Sequence, residues 1–434
     1  IYFTFFNKSS LSPKVQSSIE EIGKVPYSFN VWGNMYSLQA INETCLIFLK
    51  SLKDKNESVS FAHDLKSNKI VEFANPPLKA NNVSNLVPVY NPSHPNNILL
   101  SFSGETNKTC LFNLIDHSWN CSLATYPQKN LSCGIRYTIT GLIEGGPAEK
   151  SGLKKGMRIR KINGVEATWK NLIEAMLTLK PVKIETIGYT FTVAPLKEIK
   201  SATLNLSEYY GIKSLNAELV AKDPLTPEDQ PRACLEGSRE YAIGYPLNEN
   251  EYLFCGGGGS IATNNCLAYN VKEDKWIEKA EYPQSSDGDY GTERACSTEY
   301  KGKIYMLGGN HFPDIGGLYE YNPEKNEWKA LVQNFNGYPF QASICKRVGK
   351  EWHIFGGNCN NLPSKYCKGE FSATNTHFVL DLETLELEEA EPKFPVPIQH
   401  AITCDVNENE ILVYGGQKEN NEGAYNNIYR IKIS

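Results

Sequence analysis

A mainly β chain of repeated four-stranded units, interrupted by one small α+β module, is the fold class the sequence predicts, and three observations predict it. The pair Gly-Gly recurs after a short β-rich run: Tyr252–Cys255 before Gly256 and Gly257, Ile304–Leu307 before Gly308 and Gly309, Trp352–Phe355 before Gly356 and Gly357, Ile411–Tyr414 before Gly415 and Gly416. Copies spaced by roughly 50 residues mark a repeat architecture. Between residues 128 and 196 the period fails and a different order of glycines takes over.

Each copy carries the same succession: an apolar strand before the glycines, and after them an alternating strand such as Leu318-Tyr319-Glu320-Tyr321, a polar turn Asn322–Asn326, and Trp328. That succession reads as one four-stranded unit. Two degenerate units without the glycine pair fit the first half. One comprises Thr44–Leu49, Phe61–Leu65 and Ile70; the other comprises Ile98–Phe102 with Gly104, Cys110–Leu114 and Trp119. Six units result. The last ends at Ile428–Ile433 after three strands, leaving an edge that the β-prone run Tyr2–Phe6 is expected to cover.

The best unit, Lys303–Trp328, resembles the kelch repeat, which pairs a double glycine with a downstream aromatic strand and a Trp beyond a tight turn. The resemblance implies a six-bladed kelch-type β-propeller. Its glycines read as structural, at strands that bend sharply or admit a neighbour against bare backbone.

The interruption runs Gly145-Gly146-Pro147-Ala148-Glu149-Lys150-Ser151-Gly152-Leu153, then Lys155-Gly156-Met157-Arg158-Ile159 and Ile162-Asn163-Gly164, with a helix expected over Trp169–Leu179 and closing strands over Val182–Glu185 and Tyr189–Val193. This order resembles a PDZ domain. The resemblance implies capture of a partner's C-terminus as an added strand. The carboxylate would sit at Cys133, Gly134 and Ile135, with Trp169 and Ile173 walling the groove. A structural or assembly role for the module stands beside peptide capture. The domains expected are residues 1–127 (closing strand and two degenerate blades), 128–196 (PDZ-like), 197–232 (connection) and 233–434 (four blades).

Composition excludes some classes. The chain is 41% hydrophobic and 21% charged with net charge −5, so it has no basic excess for nucleic acid. It contains no apolar run of about 18 residues. It begins at Ile1, and Ile1–Phe6 lacks the length and flanks of a signal peptide, so a processed or trimmed chain is expected. Twelve cysteines, an even number, point to an oxidising compartment. Cys110 with Cys121 flank one hairpin turn; Cys255 with Cys266 and Cys359 with Cys367 are further expected pairs. Cys234, Cys296, Cys345 and Cys404 recur at the first-strand position. A metal ring there is weighed against small apolar side chains held too far apart to bond, and the second reading is preferred. The roles of Cys45 and Cys133 stay open.

Eight Asn-x-Ser/Thr sequons, at Asn7, Asn42, Asn56, Asn82, Asn107, Asn120, Asn130 and Asn205, all precede residue 206. They suit one glycan-covered side and one bare side in a secreted or lumenal protein.

No His pair has metal-ligand spacing, and no nucleophile elbow, phosphate loop or dinucleotide fingerprint is present, so no cofactor, metal or catalytic residue is assigned. Kelch propellers usually bind partners through loops around the ring. Here those are His311–Gly316, Asn358–Asn375, Lys418–Asn426 and Asp287–Arg294, with Arg294, His311 and Lys365 as candidate contacts. The expected function is protein–protein interaction or assembly outside the cytosol, with protein partners such as a C-terminal peptide or other subunits. The alternative is a secreted enzyme on the propeller face, a copper-dependent oxidase or a hydrolase.

Overall fold

The computed structural model describes the chain from Ser17 to Ser434 except residues 26–34, 50–58, 74, 76–82, 105–107, 123–129, 156, 160, 168–170, 173, 176–177, 179, 187–188, 196–211, 223–231, 236–240, 258–263, 284–291, 312–313, 336, 360–363, 368–371 and 419–422. The chain divides into two compact units, residues 1–129 with 236–434, and residues 130–235.

The larger unit is mainly β and consists of small sheets of three to five strands. In chain order, the first sheet holds Thr44–Leu49, Val59–Asp64 and Lys69–Glu72; the second, Val83–Tyr90, Asn97–Gly104, Lys108–Asn113 and Trp119–Cys121. The third holds Ile243–Pro246, Glu251–Cys255, Cys266–Asn270 and Lys275–Lys279. The fourth holds Cys296–Tyr300, Lys303–Leu307, Asp314–Asn322 and Glu327–Asn334, with Asn310–His311 beside the third of these. The fifth holds Ile344–Val348, Glu351–Phe355, His377–Asp381 and Leu387–Glu389. The sixth holds Ile402–Asn407, Glu410–Tyr414 and Asn427–Ile433.

The sequence of the second strands explains the packing. Each of Glu251–Cys255, Lys303–Leu307, Glu351–Phe355 and Glu410–Tyr414 opens on a charged, half-buried residue and continues with four buried ones. A strand covered on both faces has no polar side to present, so it reads as a continuous apolar run. Six apolar clusters supply those two coverings. Phe48 and Leu46 of the first sheet meet Leu86 and Leu100 of the second, and Val87 and Val89 meet Tyr252 and Phe254 of the third. Leu253 meets Met306 of the fourth, Leu307 meets Ile354 of the fifth, and Phe355 meets Val413 of the sixth. Leu412 and Tyr414 of the sixth then meet Ile47 and Phe61 of the first.

Two local devices recur in sequence order. In the first five sheets, at the end of the strand before the last hairpin turn, the second in the first sheet and the third in the others, an Asp or Asn carboxyl or amide oxygen accepts backbone N–H groups of that turn: Asp64, Asn113, Asn270, Asn322 and Asp381 all do so. Across that turn, aromatic residues stand in register: Phe112 with Trp119, Tyr269 with Trp276, Tyr321 with Trp328, at centroid distances of 4.7, 5.2 and 4.9 Å. The degenerate second sheet therefore keeps the turn chemistry although its glycine pair is gone.

The double glycines join neighbouring sheets. Gly257, Gly309 and Gly357 donate their N–H groups to Thr292, Phe340 and Ile398 carbonyls, 2.7–2.8 Å away at the approach to the next sheet. Gly357 has φ +85, and a Cβ there would lie 2.0 Å from the Pro339 carbonyl oxygen and 2.4 Å from Ser343 Oγ. Gly357→Ala should cost about 3 kcal/mol, combining left-handed strain with a backbone clash. Gly423→Ala, at φ +115 but in open space, should cost only about 1 kcal/mol. Urea unfolding of the two variants checks the difference.

The edge of the sixth sheet is covered by Ser17–Lys24, antiparallel to Asn427–Ile433 with Ser17 opposite Ile433. Tyr2–Phe6, the run expected there, lies outside the described residues. The inner edge of the same sheet carries Tyr36–Gln39, parallel to Ile402–Asn407.

In the smaller unit Ile139, Ala148, Leu153, Ile159, Ile162, Leu172, Ile184 and Val193 form the core. Pro147–Lys150 is a short helix whose first turn is set by Pro147. Asn163 and Gly164, at φ +52 and +85, make the tight turn between Lys161–Ile162 and Val165–Glu166. Asn130–Leu142 pairs antiparallel with Ile212–Lys222 from Ser132 opposite Lys222 to Leu142 opposite Ile212; it also pairs with Arg158–Ile159 and Arg232–Leu235. The stretch expected as a connection, 197–232, thus carries a long strand of this unit.

Candidate functional site

The strands that open the second to sixth sheets, together with Tyr36–Gln39, surround one cavity of about 230 Å³ in the larger unit. Its geometry follows from alternation. In Ile344–Val348 the side chains of Ile344 and Val348 pack toward the sixth sheet and that of Cys345 toward the fourth. Lys346 accordingly reaches Asp405 of the sixth sheet and Arg347 lies over the Tyr300 ring of the fourth.

Where the opening strands begin, four residues at equivalent positions adopt left-handed backbone: Tyr241, Arg294, Ala342 and His400, at φ +59, +62, +55 and +51. They are linked in series. His400 N–H donates to Ala342 O (3.0 Å), Ala342 N–H to Arg294 O (2.9 Å), and Arg294 N–H to Tyr241 O (3.4 Å). The Tyr241 ring lies 5.4 Å from that of His400 and 4.8 Å from the Arg294 guanidinium, which also pairs with Glu293 at 3.3 Å. Burial, with the Arg294 charge second, holds the His400 imidazole well below its usual range, so it is neutral. Non-glycine residues with positive φ are uncommon, and four linked in series mark a constrained backbone where the opening strands begin.

Toward the other end stand Lys346, Arg347, Asp405 and Tyr245. Lys346 is 6% exposed at its side chain, and its ammonium donates to Asp405 Oδ1 (3.1 Å) and to Asn407 O (2.8 Å). Asp405 lines the cavity, with 40% of its side chain exposed. Loss of bulk solvent raises its carboxyl above the usual carboxylate range despite the Lys346 charge. Burial raises the Tyr245 phenol too, against a hydrogen bond with Ser297.

Five disulfides brace the described residues. Cys110–Cys121 and Cys255–Cys266 join residues directly opposite in antiparallel register, with Cα separations of 3.9 and 4.2 Å. Cys359–Cys367 closes a loop within the fifth sheet's connection. The preference for unbonded first-strand cysteines is corrected. Cys296 bonds Cys345 across two successive opening strands, and Cys404 bonds Cys45 across the sixth and first sheets, with Cα separations of 6.3 and 6.0 Å. Opening strands crowd around one cavity, and that brings neighbouring cysteines within bonding reach.

The expected contact residues are placed apart. Arg294 is 18% exposed at its side chain and belongs to the linked series where the opening strands begin. His311 pairs in a two-residue strand with Asp314. Lys365 is exposed, with its ammonium 4.6 Å from the Tyr366 ring centroid. In the smaller unit Cys133, Gly134 and Ile135 are opposite Ala221, Val220 and Leu219; Trp169 and Ile173 lie outside the described residues. Of the sequons, Asn42 and Asn120 are exposed, Asn130 opens a strand, and Asn7, Asn56, Asn82, Asn107 and Asn205 lie outside the described residues. Lys346, Asp405 and Tyr245 were not anticipated. The available signal was a charge inside an opening strand, as in Ile344-Cys345-Lys346 and Thr403-Cys404-Asp405.

Among the described residues no helix is long and apolar enough to cross a membrane, and with five disulfides this is compatible with an extracellular or secreted protein. No family model matches the chain. The solved structure described as the structure of YjhT is similar at 12% identity over 48% of this chain and 89% of that one, with a TM-score of 0.33.

Proposed function

We propose that this chain is a secreted or lumenal protein-interaction and assembly protein, a six-bladed kelch-type β-propeller carrying a PDZ-like module. The observation that supports it most is the disulfide-braced set of six small sheets, five of them bordering one cavity, with the sixth sheet packed and covalently joined to the first. Such a frame holds its connecting loops in fixed positions, which favours protein recognition because little loop ordering is left for the moment of binding. Oxidised cysteines and the exposed sequons at Asn42 and Asn120 favour the secretory route.

The loops after the double glycines are the first place for a partner, with Lys365 and Lys418 on them. The PDZ-like module contributes differently. Its strand Asn130–Leu142 already pairs with Ile212–Lys222, so a peptide adding at that edge must displace the chain's own strand.

Lysine cross-linking of the secreted, glycosylated chain in its native extract tests this. The expected result is cross-links from Lys365 or Lys418 to one reproducible partner and sedimentation heavier than a monomer. A strictly monomeric chain with no cross-linked partner would overturn the proposal.

A further inference from the structure

We propose that the cavity between the opening strands binds a small polyhydroxylated molecule of monosaccharide size. The volume sets the size: about 230 Å³ is below the roughly 300 Å³ at which pockets for drug-sized ligands begin. The walls set the character. Tyr36, Tyr90, Tyr241 and Tyr245 border the cavity with Val87 and Val89, beside the polar Gln39, Ser297 and Thr403.

Lys346 and Asp405 set the polar match. They put one strong donor and one strong acceptor 3.1 Å apart at the cavity wall. A hydroxyl both donates and accepts, so two neighbouring hydroxyls complement such a pair. Asp405 Oδ1 is taken by Lys346, while no hydrogen bond from a described residue reaches Oδ2, which is left for a ligand O–H. The field around Tyr245 is mixed, with Asp405 and Glu299 opposed by Arg347. A neutral ligand with many hydroxyls gains more there than an anion or a cation, each of which meets a like charge.

The linked backbone of Tyr241, Arg294, Ala342 and His400 stands where the strands begin, whereas Lys346 and Asp405 lie further along them.

Saturation-transfer NMR on the full disulfide-bonded chain, with D-mannose, D-galactose and N-acetyl-D-glucosamine as probes and citrate and glycine betaine as charged counterparts, tests the assignment. The expected result is saturable millimolar binding of at least one sugar. That binding should weaken about tenfold in Asp405→Asn and measurably in Tyr245→Phe, a variant that keeps the ion pair and loses only the phenol hydroxyl. Absence of transfer from all three sugars, binding of only citrate or betaine, or sugar binding unchanged in Tyr245→Phe and in folded Asp405→Asn would overturn it.

Discussion

Replacing Cys45 and Cys404 together by serine is expected to lower unfolding free energy by about 5 kcal/mol, and the melting temperature by about 10 °C. The bond spans 359 residues of sequence and joins the first sheet to the sixth. A cross-link constrains the unfolded chain more as its loop lengthens, and this is the longest loop among the described disulfides. Two non-covalent closures remain: Ser17–Lys24 on Asn427–Ile433 and Tyr36–Gln39 on Ile402–Asn407. The variant should therefore fold, with a lower guanidinium midpoint. The double substitution avoids leaving an odd thiol. For contrast, Cys110→Ser with Cys121→Ser opens a bond with a sequence separation of only 11 and should cost about 3 kcal/mol. Equal losses in the two variants would show that loop length does not govern the effect.

Acid is expected to destabilise the larger unit well before its carboxylates titrate. His353 and His377 are fully buried in the fifth sheet and share a 3.0 Å hydrogen bond between Nδ1 and Nε2. Phe355 stacks on His377 at 4.1 Å, and the nearest acid, Glu351, is 3.7 Å from His353 Nε2. Burial, and for His353 also its neighbour's charge, pushes the two imidazoles down to about 3 and about 4. Unfolded histidine titrates near 6.5, so between that pH and about 4 the unfolded chain binds more protons than the folded one. Stability contributed by the neutral pair is thus complete above pH 6.5 and declines as pH falls. At pH 5 the pair should account for a loss of about 4 kcal/mol relative to pH 8. His63 and His400, also shifted down by burial, add in the same direction. Guanidinium unfolding at half-unit steps from pH 8 to 5 measures the slope. His353→Leu with His377→Leu should flatten it, and a slope unchanged by that substitution would assign the acid sensitivity elsewhere.

Much of the fold was legible because it is written locally. A second strand covered on both faces must be a continuous apolar run, and the glycine pair after it is required by carbonyls such as Pro339 O within 2.0 Å of a would-be Cβ. The in-register hairpin disulfides were legible for the same reason, since Cys110 and Cys121 flank one turn. The strand on the sixth sheet's edge was expected at Tyr2–Phe6, which lies outside the described residues; the edge carries Ser17–Lys24, which is polar and alternates weakly, so nothing in its own sequence singled it out. The recurring Asp64, Asn113, Asn270, Asn322 and Asp381 were legible and overlooked; each ends its sheet's penultimate strand by capping the turn with its own side chain.

The sequence by itself determined the mainly β class, the sheet-forming runs and the short-range cysteine pairs, because a turn or an alternation is settled among residues a few positions apart. Only the tertiary structure decided that Cys45 meets Cys404, that Cys296 meets Cys345, that Lys346 finds Asp405, and that residues 212–222 lie along Asn130–Leu142. Those partners are chosen by how sheets crowd around a shared cavity and which strand edge is left open, distances that no spacing along the chain encodes.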